Sequence, residues 1–261
     1  MRGIPAVVAV AAMIPAALAA SQTTPEGRAL LPDLDQEAPT EVVLTKAGEV
    51  WRLGFRSAVR NIGDGPLIMD GHRLSRARVM EAEQVVTHEG APSEVVPNAG
   101  TFRYVRSPDH RHWHLLRFDR YELRRIDGTT VVRDRKTGFC LGDRYPILRP
   151  LPAAPPQPVY TSRCGLGDPG LLGIREGISV GYGDDYKANL EGQYLPLTGL
   201  KAGRYVLAHK VNLDRSLKES SYGNNGASLL LRLRWRRGAP QVRILRTCPG
   251  TARCDSPRTI G

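Results

Sequence analysis

Aromatic residues are scarce in this chain, at 6% of 261 residues, with three tryptophans and four phenylalanines. Any core is therefore filled mostly by Val, Leu, Ile and Ala. Lysine is scarce too. It occurs only at positions 46, 136, 187, 201, 210 and 218, so 37 − 6 = 31 of the basic residues are arginine. After the first twenty residues no apolar run reaches the ~18 residues that a membrane-crossing helix needs. The sequence has no C-x-x-C pair, no H-E-x-x-H and no Gly-rich fingerprint opening a helix. It also has no clustered Arg/Lys helix. These absences argue against a membrane span, a zinc finger, a zinc hydrolase, a nicotinamide or flavin enzyme and a nucleic-acid-binding protein.

What is present points to a loop-rich β protein. Hydrophobic residues make up 41% of the chain and charged residues 24%, enough to bury a core. Twenty prolines and 27 glycines disfavour a helix bundle. The formal charge is +11, which reads as an arginine-biased surface without a nucleic-acid motif.

Residues 1–20 read as a secretory signal peptide: Arg2 starts it, an apolar stretch broken by Pro15 follows, and Ala17-Leu18-Ala19 forms a small-x-small cleavage site. Secretion leaves residues 21–30 as a flexible mature N-terminus. It also places the four cysteines in an oxidising compartment, where an even count predicts disulfides. Three pairings are possible. Cys140–Cys164 and Cys248–Cys254 are favoured, because each closes a Pro/Gly-rich stretch with no core of its own. Residues 248–261 are then a short tail.

Between these ends lie many short β-like runs. Glu41–Thr45, Glu49–Phe55, Ala58–Ile62 and Pro66–Met69 come first, with a turn at Gly63-Asp64-Gly65. Residues 73–88 admit a helix, although Gln84–Thr87 reads better as strand. Thr101–Arg106 follows, then one long strand over His112–Ile126, turned by Asp127-Gly128 into Thr129–Arg133. Residues 144–176 carry seven prolines and read as a long loop. Ile178–Tyr182, Gln193–Leu197, Arg204–Asn212, Ala227–Trp235 and Gln241–Leu245 complete the set. The pattern predicts an all-β fold, a β-sandwich with long loops and little helix.

The most informative stretch is His110-Arg111-His112-Trp113-His114. Three of the six histidines fall within it, two residues apart. On a strand, alternate side chains share a face, so all three imidazoles project to one side and Arg111 to the other. Imidazole suits Cu, Zn, Fe or Ni, and the affinity order favours Cu(II). His72, His88 and His209 stand alone.

Five ordered motifs then carry a resemblance. They are Leu31-Pro32-Asp33-Leu34, the histidine stretch at 110–114, Lys136-Thr137-Gly138-Phe139-Cys140-Leu141-Gly142-Asp143, the run from Gly177 to Tyr186, and Glu219-Ser220-Ser221-Tyr222-Gly223-Asn224-Asn225. From about residue 31 to 235 the chain resembles the lysyl oxidase family of secreted copper amine oxidases. A domain over 31–247 is expected on that basis. The resemblance implies Cu(II) on His110, His112 and His114, and a lysyl tyrosylquinone cofactor made from Lys136 and Tyr186. It implies conversion of primary amines, including peptidyl lysine, to aldehydes, with O2 consumed and ammonia and hydrogen peroxide released. Candidates for the base are Asp184, Asp185 and His209. Asp184, Asp185 and Glu191 form a candidate acidic patch that draws a cationic amine to a basic protein. The resemblance further implies a calcium site from Asp33, the carbonyl of Leu34, Glu219, Asn224 and Asn225, weakened because Ser221 stands where the family has aspartate. The alternative is a non-catalytic extracellular β-sandwich that binds copper or a cell-surface partner.

Overall fold

A computed structural model describes residues 27–107, 110–134, 136 and 138–254. The expected signal peptide, residues 1–20, lies outside them. The described strands form three antiparallel sheets, and no described residue is helical. The first sheet runs in the order Gly173–Ile178, Leu67–His72, Val79–His88, Ala91–Ser107 and His110–Leu115. The second runs Thr130–Arg133, Asp119–Arg125, Gly203–Val211, Gly226–Arg236 and Ala239–Cys248. The third is built on the long strand Val50–Asn61, which pairs with Leu34–Gln36, Thr40–Ala47, Tyr182–Tyr186 and Tyr194–Pro196.

The alternation of apolar and polar residues explains these strands. In Gly203–Val211, Tyr205, Leu207, His209 and Val211 face inward and are buried. Phe55 of the third sheet, Phe102 and Trp113 of the first, and Tyr121 and Leu207 of the second belong to one hydrophobic core. With few aromatics available, this core spends them centrally: Phe55 packs edge-on against Tyr121 at 5.1 Å between ring centroids. Both favoured disulfides are formed.

Several sequence expectations are corrected. The stretch at 73–88 contains the strand Val79–His88 and no helix. The two runs at Glu49–Phe55 and Ala58–Ile62 are one strand, Val50–Asn61. The long strand expected over His112–Ile126 is two, because the chain turns at Arg117, whose φ is 64°, and passes from the first sheet to the second. Ile178–Tyr182 is a turn. Gly181 has φ 77°, and the Tyr182 N–H donates to the Ser179 carbonyl at 3.1 Å. The loop over 144–176 contains Tyr145–Pro146 and ends in the strand that starts at Gly173. Ala29–Leu30, at the end of the stretch expected to be loose, pair with Thr87 and His88.

Candidate active site

The strand His110–Leu115 lies at the edge of the first sheet. Its partner sets the register: Ser107 opposes His110, Val105 opposes His112, and Arg103 opposes His114. The three imidazoles consequently share one face, and their ligand atoms lie within 4.8 Å of one another. Arg111 is exposed on the other face. His110 and His114 are buried and His112 half-buried. Burial, and then the neighbouring His110, pushes His112 down to about 4. His114 goes to about 2, for burial first and its two histidine neighbours next.

His112 and His114 are therefore neutral at physiological pH. The Nε2 atoms of His112 and His114 face each other at 2.7 Å. Two nitrogens each ~2.0 Å from a shared ion and about a right angle apart have this separation. An all-imidazole donor set of this kind fits a borderline divalent ion such as Cu(II).

A second segment reaches this strand from the free edge. Phe139 and Leu115 exchange backbone hydrogen bonds at 2.8 and 3.0 Å. Gly138 permits the approach, since a Cβ there would stand 2.7 Å from the Leu115 carbonyl oxygen and 2.8 Å from the His114 Cβ. Cys140, next in the segment, is bonded to Cys164, whose carbonyl accepts the Trp113 N–H at 2.8 Å. The disulfide thus clamps the long loop and the lysine-bearing segment onto the histidine strand.

The same segment carries Lys136 to Tyr186. Lys136 Nζ lies 4.9 Å from the centroid of the Tyr186 ring and 5.1 Å from that of Phe139. Lys136 is buried, and burial lowers its amine to about 8 against the opposing pull of Asp184, Asp119, Asp134 and Glu191. A sizeable fraction is then the neutral, nucleophilic amine near pH 8. The Phe139–Leu115 bridge brings the Lys136 segment alongside the histidine strand, and charge on Lys136 contributes to the lowering of His112 and His114. Tyr186 follows from the register of Tyr182–Tyr186 against Val50–Asn61, where it opposes Ser57. Its hydroxyl sits 2.6 Å from Asp184 Oδ2 and 2.9 Å from the Cys140 carbonyl. The Phe139 ring packs edge-on against it at 4.8 Å.

The three candidate bases are separated by the fold. Asp184 is fully enclosed, hydrogen-bonded to Tyr186, and raised to about 7 by burial. Asp185, one residue on, points to the other face and pairs with Arg56 at 2.8 Å. His209 is turned into the core, with Nδ1 3.0 Å from Gln36 Nε2 and 3.1 Å from Ser57 Oγ. Of the acidic patch, Glu191 lies 3.9 Å from His110 Nε2 and is half exposed.

Sequence reading missed Glu176 and the role of Asp143. Glu176 is fully buried, accepts the Leu141 N–H at 2.9 Å, and is raised well above the ordinary carboxylate range by burial. Asp143 accepts from Ser179 N and Oγ at 2.8 and 2.7 Å, and from Val159 N at 2.8 Å. It ties the loop to the turn before Tyr182. Asp143 ended a quoted motif, whereas nothing in the sequence marked Glu176 as buried.

The second expected cluster also assembles. Asn224 Nδ2 donates to Asp33 Oδ1 at 2.7 Å. Glu219 accepts from Leu34 N at 2.7 Å, Asn212 Nδ2 at 2.6 Å and Asn225 Nδ2 at 2.7 Å. Leu34 thus turns its N–H toward the carboxylate. The amide oxygens of Asn224 and Asn225 are buried without a hydrogen-bond donor.

The lysyl oxidase family model matches residues 69–239. Among curated relatives, lysyl oxidase homolog 2 of Gallus gallus is 29% identical over 139 residues, covering 53% of this chain and 16% of that protein. Lysyl oxidase homolog 2 of Homo sapiens is 27% identical over 142 residues, 53% of this chain and 16% of the relative. Lysyl oxidase homolog 4 of Mus musculus is 26% identical over 130 residues, 49% of this chain and 15% of the relative. The aligned part is thus a small share of these much longer relatives. With the matched region enclosing the histidine strand, the Lys136 segment and Tyr186, the chain belongs to the lysyl oxidase family.

Proposed function

We propose that this protein is a secreted copper-dependent amine oxidase acting on primary amines, among them lysine side chains of peptides. The observation that carries the reading is the Lys136 amine over the Tyr186 ring, on a segment hydrogen-bonded to the strand that brings three imidazoles together. His110, His112 and His114 would hold copper. Lys136 and Tyr186 would be joined as lysyl tyrosylquinone. Bound copper supplies the one-electron and oxygen chemistry that turns a phenol into a quinone, and the quinone offers an electrophilic carbonyl to an amine. Extracellular location accords with the two disulfides.

The chain's own groups fit the remaining tasks. Phe139 and the Cys140 carbonyl fix the Tyr186 ring and hydroxyl. Asp184 Oδ2 is placed to take the phenol proton, and its raised value near 7 suits a base that later accepts a substrate proton. Glu191, at the exposed side of His110, supplies negative charge for an incoming ammonium. The net reaction is R-CH2-NH2 + O2 + H2O giving R-CHO + NH3 + H2O2. Asp33, Leu34, Glu219, Asn224 and Asn225 would form a structural calcium site, supported by the two amide oxygens lacking donors.

Peptide mapping after aerobic copper loading tests the reading. A covalent species joining the peptides of Lys136 and Tyr186, with quinone absorbance and peroxide release from a primary amine, is expected. Tyr186→Phe should abolish all three while copper is still bound. A copper-loaded protein with both residues unmodified sinks the reading and favours a non-catalytic copper binder.

A further inference from the structure

The second sheet turns one face to the core and one away from it, and the outward face carries a cluster of arginines. Register shows why. Arg204 lies directly opposite Arg232, and Arg232 directly opposite Arg243, so three guanidinium side chains form a row across three neighbouring strands. Strands in a sheet are ~4.8 Å apart, and like charges directly opposite one another destabilise the pairing. Arg234, two residues along from Arg232, extends the patch on the same face, opposite Gln241.

On the flanking strand, Arg124 opposes Val206, and the Cys248–Cys254 disulfide folds the tail back so that Ala252 and Cys254 pack on Val206 and Ala208. That fold-back places Arg253 with Arg124 at a cavity of about 280 Å³. Glu122, on the same face as Arg124, is already taken by Arg124 at 2.6 Å. Among the described residues no carboxylate lies within ion-pair distance of Arg204, Arg232, Arg234, Arg243 or Arg253. Lys210, next to this patch, is held below the ordinary lysine range by burial first and then by the charges of Arg124 and Arg253.

A protein that only needed solubility would intersperse charges of both signs. Here repulsion is built into the strand pairing, and an external anion relieves it. We infer that the outward face of the second sheet is a binding surface for an anionic polysaccharide, a chain bearing sulfate or carboxylate groups. Guanidinium pairs with both through two parallel N–H···O bonds. The face belongs to a five-stranded sheet, broader than the α-helix or two-stranded ribbon that the major groove of duplex DNA admits. Trp235, the one aromatic on Gly226–Arg236, is turned away to donate to the Leu200 carbonyl at 2.8 Å, and Tyr205 on Gly203–Val211 is buried on the core side, leaving no platform for stacked bases. The face looks away from the core that holds Tyr186, so a bound polymer would leave the candidate active site open.

The test is salt-dependent binding of the full protein to immobilised heparin and to polygalacturonate. Arg204, Arg232, Arg234 and Arg243 are changed together to Gln. A control changes Arg76, Arg78, Arg106 and Arg149 to Gln, removing equal charge elsewhere. The sheet variant is expected to weaken binding at least tenfold and to lower the slope of log affinity against log salt by about two to four. The control should stay within threefold. The same four positions as Lys, which keep the charge but not the two parallel bonds, should fall between the native protein and the Gln variant, which separates lost charge from lost folding. No binding of the native protein at 0.15 M salt, or equal loss in both Gln variants, overturns the inference. So does duplex DNA binding as tightly as heparin through the same four residues.

Discussion

Lys136 Nζ stands 4.9 Å from the ring centroid of Tyr186, and no strand pairing joins the segments that carry them. The link is Phe139 and Cys140. Phe139 uses its backbone to bridge to Leu115 and its ring to pack on Tyr186. Cys140 gives its carbonyl to the Tyr186 hydroxyl and its sulfur to Cys164. Two residues thus tie the phenol, the amine and the histidine strand into one unit. The amine and the ring are thereby held next to each other, as the proposed cross-link requires.

Burial of the Lys136 ammonium carries a cost in the unmodified protein. Its value falls from 10.5 to about 8. A depressed lysine is penalised wherever the folded protein must hold the proton, and the penalty is relieved as pH rises from about 8 toward 10.5. Lys136→Met, of similar length and uncharged, should therefore stabilise the copper-free protein by about 1–3 kcal/mol at pH 7. The gain should shrink by pH 10. Thermal unfolding at the two pH values checks both, and the variant should form no quinone. A destabilised variant at pH 7 would mean that the acids around Lys136 outweigh its burial.

Two buried acids under the same segment give a second pH signature. Asp184 is raised to about 7, and Glu176 well above its ordinary value, each chiefly by burial. A carboxyl whose folded value is raised adds stability below its unfolded value and loses it as pH rises through the folded one. Below about pH 6.5 the depressed His112 and His114 pull the other way, because the unfolded chain binds protons there that the folded one does not. Copper-free protein should therefore lose stability mainly from about pH 6.5 to pH 8. Each group contributes a slope of at most about 1.4 kcal/mol per pH unit. Glu176→Gln keeps an oxygen for the Leu141 N–H and removes one titration, so the slope should be visibly flatter. Denaturant melts across this range measure it, and an unchanged slope would remove Glu176 from the account.

The parts of this site that were legible in the sequence are those set by local geometry. Alternation on a strand was enough to put His110, His112 and His114 on one face, and Asp127-Gly128 was enough for a hairpin. The two disulfides followed from what each could staple. Segments that owe their shape to distant partners were not legible. Ile178–Tyr182 looks like a strand by composition, but Gly181 and the Asp143 carboxylate bend it into a turn. His112–Ile126 looks continuous, yet its halves serve different sheets. Asp184 and Asp185 are indistinguishable as letters. One faces Tyr186 and the other Arg56 only because their strand has a register.

The two disulfides should differ in worth. Cys140–Cys164 closes a loop with a sequence separation of 24, and Cys248–Cys254 one of 6. Chain entropy alone gives about 3.5 and about 2.4 kcal/mol. Only the first also holds the lysine segment against Trp113. Cys140→Ser with Cys164→Ser should therefore lower the unfolding temperature more and block quinone formation. Cys248→Ser with Cys254→Ser should leave quinone formation intact. Melting curves and absorbance after copper loading distinguish them, and equal effects on the quinone would contradict the clamp.

Gly138 offers the narrowest test of how the centre is assembled. Its neighbours leave no room for a side chain, because a Cβ would press on the Leu115 carbonyl at 2.7 Å and on the His114 Cβ at 2.8 Å. Backbone on one side and a proposed metal ligand on the other cannot both give way. Gly138→Ala should lift the segment from the strand and lengthen the Phe139–Leu115 hydrogen bonds. Overpacking of this kind costs about 1–3 kcal/mol. Lys136 would leave its place over Tyr186, while the spacing of the three histidines along their own strand would persist. The expected outcome is near-native copper binding with little or no cross-link, measured by copper titration and by peptide mapping of the same sample. A variant that binds copper and forms the cross-link at the native rate would show that the close approach at Gly138 does not govern how the amine meets the ring.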